Sequence, residues 1–81
     1  MKKVFKIKLD IADITPFIQK ANKVTNNITL YQGQTVVNAR SVLGIYALDL
    51  SYPVKLVIDG VGDEDTEKLA YTLFPKWIVN D

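Results

Sequence analysis

The sequence predicts an α+β fold: a four-stranded, mostly antiparallel sheet with three helices on one face, in the order β-α-β-β-α-β-α. Three observations carry that expectation. Residues 5–9, 28–38 and 54–58 hold short apolar-polar alternations with the period of half-buried strands. Residues 14–24 and 63–74 instead place apolar residues at helical spacing. Most of the glycine and proline falls at the joins, at Gly33, Pro53, Gly60, Gly62 and Pro75.

Taken in order, Phe5, Ile7 and Leu9 alternate with Lys6 and Lys8, which predicts a first strand with one wet face. Asp10, Asp13 and Thr15 are candidate starts for the helix that follows, and Pro16 suits its first turn, where a missing N–H is harmless. Ile14, Phe17, Ile18, Ala21 and Val24 form the apolar stripe of that helix, which is expected to end near 25–27. Ile28 to Tyr31 and Thr35 to Asn38 read as a hairpin, with Gly33 supplying a positive φ in the turn. A short helix follows over 41–50, stopped by Ser51-Tyr52-Pro53. Val54, Leu56 and Ile58 alternate with Lys55 and Val57 in a fourth strand. Asp63 is the expected N-cap of a last helix carrying Leu69, Ala70, Leu73 and Phe74, and Pro75 ends it. Trp77-Ile78-Val79 is an apolar tail that either folds back on the sheet or meets another chain.

The short helix is the most informative stretch. Ser41 is a good N-cap, because its hydroxyl accepts from an orphan backbone N–H. After it the residues are apolar on nearly every side. Ile45, Leu48 and Leu50 can serve a core, which leaves Val42, Leu43 and Tyr46 on another face. A short helix that cannot bury its whole circumference presents a patch of the kind that marks a partner site.

Composition removes several classes of function. The chain has 81 residues, a hydrophobic share of 48% and a net charge of +1, which suits one folded domain over 1–81. A nucleic-acid binder needs a basic surface to displace counterions, so no nucleic-acid partner is expected. Cysteine is absent, which excludes disulfides and thiolate metal sites and fits a cytoplasmic setting. Lys6 and Lys8 interrupt any apolar signal region, and no apolar run nears the roughly 18 residues of a membrane helix. The acidic run Asp59, Asp63-Glu64-Asp65 and Glu67 lacks calcium-loop spacing, and carboxylates gather in first helical turns for dipole reasons. Neither metal nor cofactor is expected, and without histidine no serine or cysteine triad can form.

Residues Asn38 to Leu50 resemble a segment of HPr, the small phosphocarrier of the bacterial sugar phosphotransferase system. The family pattern there reads roughly V-N-x-K-S-[IL]-[ML]-G-[VI]-M-S-L. Val37-Asn38, Ser41 to Ile45 and Leu48 match in register. Asn27 to Leu30 followed by Gly33, and the acidic Gly62 to Asp65, are similar to further parts of the family, so the resemblance spans nearly the whole chain. It implies the HPr sheet order.

The resemblance fails where that family keeps its chemistry. HPr proteins carry G-[IL]-H-A-R-P before the first helix, and the histidine takes phosphate from phosphoenolpyruvate through Enzyme I. Imidazole is a nucleophile near neutral pH, which suits it to the task. Aligned back from the first helix, Asp10, Ala12 and Asp13 stand where the family has histidine, arginine and proline. The chain has no histidine at all, so transfer through phosphohistidine is excluded. An aspartyl phosphate on Asp10 would want a magnesium site built from further carboxylates, and only Asp13 is near. The helix-start role of both is the stronger reading. No enzyme is expected.

The expected function is therefore a regulatory or adaptor protein related to the phosphotransferase system. Its partner-binding residues are expected to be Ile14, Phe17, Val42, Leu43, Gly44, Tyr46 and Ala47. The resemblance also makes Ser41 a candidate for regulatory phosphorylation, with Arg40 beside it. Partners are expected among proteins of sugar transport or carbon-catabolite control, with the chain a monomer or weak dimer. The alternative is a regulatory α+β module that binds a small molecule.

Overall fold

Three antiparallel ladders join the strands β1 (Val4–Ile7), β2 (Ile28–Gln32), β3 (Thr35–Asn38) and β4 (Val54–Ile58) into one sheet of order β1-β4-β2-β3. The computed structural model describes residues 3–60 and 62–79. The helices are α1 (Ile14–Ala21), α2 (Val42–Tyr46) and α3 (Asp63–Leu73), with a 3-10 turn at Ile11–Asp13. The order of elements along the chain, the strand count and the antiparallel sheet are as the sequence predicts.

Register explains the core. Phe5 pairs with Leu56, Leu56 with Leu30, and Leu30 with Val37, so one apolar row crosses all four strands. Ile7 beside Val54 and Ile28 beside Ile58 extend it, and all of these except half-buried Val37 are buried. The helices close this face with Ile14, Phe17 and Ala21 from α1, Ile45 from α2, and Ala70 and Leu73 from α3. At the centre three aromatic rings meet. Phe17 stacks on Phe74 at 4.7 Å and meets the edge of Trp77 at 5.6 Å.

The tail folds back on its own molecule. Lys8 N–H donates to the Trp77 carbonyl at 2.9 Å, and Val79 N–H donates to the Lys6 carbonyl at 2.8 Å. Ile78 bridges Ile7, so the tail covers the outer edge of β1 and protects it from pairing with another chain. Burial of Trp77 in the aromatic cluster drives this return.

Two turns need glycine. Gly33 opens the two-residue β2–β3 loop with φ +59°, and Gly60 leads out of β4 with φ +88°; both lie in the left-handed region. Gln32 then does a further job. Its side-chain amide donates to the Asp49 carbonyl at 2.8 Å and accepts from the Asp49 N–H at 2.7 Å, as a strand neighbour would. That pins the segment after α2 to the end of β2.

Three helix boundaries differ from expectation. The first helix ends at Ala21, because the Arg40 guanidinium draws the chain out of the helix there. Its Nη2 donates to the carbonyls of Ala21, Val24 and Asn26 at 2.8, 2.6 and 2.9 Å. The short helix ends at Tyr46 and not near 50. Gln32 holds Asp49, and Asp49 accepts from Ser51 N–H at 3.0 Å in a tight turn. The N-cap of α3 is Gly62 in an extended conformation, so Asp63 is the first helical residue. Thr66, on the acidic stretch, is buried at 1% exposure within α3, whereas its neighbours Glu64, Asp65 and Glu67 are exposed. No helix among the described residues is long and apolar enough to cross a membrane.

Candidate functional site

The segment between β3 and α2 is built by short-range hydrogen bonds that its residue types favour. Asn38 accepts from the Arg40 N–H through Oδ1 at 2.8 Å, and Ser41 N–H donates to the Asn38 carbonyl at 2.9 Å. Ala39 is fully buried, and its N–H reaches the Ile28 carbonyl at 2.9 Å. Ser41 caps α2 as expected: it has φ −94° and ψ 110°, and its Oγ accepts from Gly44 N–H at 2.9 Å.

Gly44 is there because the helix lies close on the sheet. A methyl group at that position would sit 3.0 Å from Val37 Cβ and 3.0 Å from Ser41 Oγ. Alanine favours a helix over glycine by about 0.8–1 kcal/mol, whereas overpacking costs about 1–3 kcal/mol. Gly44→Ala is therefore expected to lower stability by about 1 kcal/mol net, read from the urea midpoint. An unchanged or raised midpoint would mean that α2 lifts off β3 freely.

The two sides of α2 divide as the sequence indicates. Ile45 is fully buried and Leu48 is 6% exposed, whereas Val42, Leu43 and Tyr46 are 48%, 83% and 55% exposed. Ala47 is exposed and Gly44 half-buried. Five of the seven residues expected to meet a partner thus share one short helix and its cap: Val42, Leu43, Gly44, Tyr46 and Ala47.

Ile14 and Phe17 do not join them. They are 1% and 0% exposed, because they face the sheet and the aromatic cluster of Phe74 and Trp77. The start of α1 instead exposes Thr15 and Pro16, and Ile11 in the preceding turn is 66% exposed. The helical stripe of 14–24 contained this signal, since an amphipathic helix keeps that stripe for the core. The exposed Ile11 had no periodic partner to mark it.

The turn at 10–13 is held by its own acids. Asp10 N–H donates to Asp13 Oδ2 at 3.0 Å, and Asp13 N–H donates to the Asp10 carbonyl at 2.9 Å. The Asp10 N–H is the main reason that Asp13 titrates below the ordinary aspartate value. Burial opposes the shift, while the Trp77 indole N–H, Lys76 and Lys8 assist it. That indole N–H is buried and has no hydrogen-bond partner of full geometry. Lys8 Nζ stands 3.6 Å from Asp10 Oδ1 and also donates to the Leu50 carbonyl. Asp13 serves the turn through its carboxylate and Asp10 through its backbone, and no cluster of three or more potential metal ligands occurs among the described residues.

Arg40 is the residue whose position changes the reading of Ser41 most. Adjacent in sequence, its guanidinium turns away to the three carbonyls after α1. It is not placed to receive a group attached at Ser41.

An open antiparallel sheet, three helices on one face and a capped short helix with an apolar outer side define a protein of the HPr fold. The chain is similar to HPr-C-His from Thermoanaerobacter tengcongensis, with a TM-score of 0.68 and 26% identity over 94% of this chain and 92% of that one. It is also similar to the phosphocarrier protein HPr from Bacillus anthracis str. Ames, with a TM-score of 0.69 and 22% identity over 95% of each chain. No protein-family model matches the sequence, and no curated protein matches it.

Proposed function

We propose that this chain is an HPr-like protein of the phosphotransferase kind that works by docking to protein partners and not by carrying phosphate on histidine. The observation behind the docking role is the outer side of α2. Leu43 is 83% exposed on a helix whose other side is locked in the core through Ile45, so the patch is rigid as well as apolar. A rigid apolar anchor loses little freedom on binding. Val42, Tyr46 and Ala47 surround it, and Thr15 and Pro16 replace Ile14 and Phe17 as the residues that α1 offers to a partner. The setting is the bacterial cytoplasm, where sugar transport and carbon-catabolite control supply the partners.

The absence of histidine is the second support. At 10–13 the Asp13 carboxylate accepts from the Asp10 N–H, and the Asp10 carboxylate stands 3.6 Å from the Lys8 ammonium. Incubation with phosphoenolpyruvate, magnesium and Enzyme I is expected to leave the chain unlabelled. Stoichiometric label would overturn the reading, and its loss in Asp10→Asn would assign it to an aspartyl phosphate.

Regulation at Ser41 is the finer part of the proposal. A phosphate there would lie at the opening of α2, where free N–H groups tolerate an anion. With Arg40 held elsewhere, the added charge is left for a partner's arginines to read. Treatment with an HPr kinase and ATP is expected to modify Ser41, detected by mass spectrometry of its peptide. If the peptide stays unmodified where a genuine HPr is fully modified, Ser41 is an N-cap alone. Ser41→Ala then loses about 0.5–2 kcal/mol of stability and nothing else.

A further inference from the structure

The outer face of the sheet is a surface that docking through α2 leaves unused. Register lays two rows of side chains across it. Val4, Val57, Thr29 and Asn38 form one row; Lys6, Lys55, Tyr31 and Val36 form the other. An antiparallel sheet that merely faces water carries polar residues at such positions. Here Val4, Val57, Tyr31 and Val36 break that pattern. Val57 is only 5% exposed on this outer side, and Val4 is 52% exposed beside it.

Val4, Tyr31 and Val57 line a groove of about 440 Å³ together with Gln32, Gly33, Pro53 and Lys55. Small-molecule sites span roughly 300–1,000 Å³ and pair apolar walls with a few convergent polar groups. The apolar walls here are two valines, a proline and a tyrosine ring, the Gln32 amide is tied to Asp49, and the charged group is the exposed Lys55. Neither row contains a carboxylate among its described residues. The charge therefore selects against cations and in favour of an anion.

We infer that this groove binds a small organic anion: a flat apolar body lying on Val57 and Val4 against the Tyr31 ring, with its acidic group at the Lys55 ammonium. The site is independent of docking through α2, because the helices occupy the opposite face of the sheet. A ligand bound there leaves Leu43 and Tyr46 free.

The test is a titration of the ¹⁵N-labelled full chain with 2-naphthoate and, separately, with the neutral 2-naphthamide. Naphthoate is expected to give saturable shifts at the amides of Val4, Tyr31, Lys55 and Val57. Removing the charge, by naphthamide or by Lys55→Gln, is expected to weaken binding about tenfold, the worth of one charge-assisted contact. Lys55→Arg should restore it. Lys55 is exposed, so these variants fold. Shifts that fail to saturate, or that centre on α2, overturn the inference, as does equal affinity in Lys55→Gln. The same shifts on concentrating the chain without probe would make a second copy the occupant and also overturn it.

Discussion

Phe17→Ala is expected to destabilise the chain by about 3–5 kcal/mol, measured by chemical unfolding. That is a large part of the roughly 5–15 kcal/mol that holds a typical domain together. The size follows from position. Phe17 is fully buried, stacks on Phe74 at 4.7 Å and supports Trp77 at 5.6 Å, so truncation opens a cavity under three elements at once. The loss should extend to the tail, because Trp77 anchors the strand-like return that pairs Val79 with Lys6 and Lys8 with Trp77. Faster amide exchange at Val79 than at Leu30 would report this. A partner-facing Phe17 would instead leave stability nearly unchanged and weaken binding alone.

The strands were legible because a period of two survives without knowledge of neighbours: Phe5, Ile7, Leu30, Leu56 and Ile58 all point to the core. Gly33 and Pro75 were legible for the same reason, since backbone geometry alone demands them. Ser41 was legible as a cap, and Leu43 as a residue outside the core. Tertiary contacts decided the rest. Arg40 ends α1 by reaching carbonyls 14 to 19 residues away, and no local pattern announces a side chain that does this. Gln32 shortens the second helix from a neighbouring strand in the same way. The burial of Ile14 and Phe17 was half legible. Their spacing marked a core stripe, but the resemblance to HPr drew the partner site across it, and the return of Trp77 settles which side they serve. Val57 read as a wet position. It is buried on an inner strand, where Val4 and Thr29 flank it on the outer face.

Docking through α2 makes the other large prediction. Leu43→Lys should abolish partner binding while leaving stability within about 0.5 kcal/mol, as for a surface change with no buried contact. Leu43 is 83% exposed, so the fold loses little, whereas a charge at the centre of an apolar interface must be desolvated without a partner. Ile45→Ala, one turn position inward, should behave oppositely and cost about 2–5 kcal/mol. The decisive measurement is an amide-shift titration of the wild-type chain and Leu43→Lys with Enzyme I, an HPr kinase and a carbon-catabolite repressor. At least one of them is expected to shift the amides of 42–47 in the wild type and none of them in Leu43→Lys. Binding that shifts other surfaces, that persists in Leu43→Lys, or that occurs with none of the three would contradict the account.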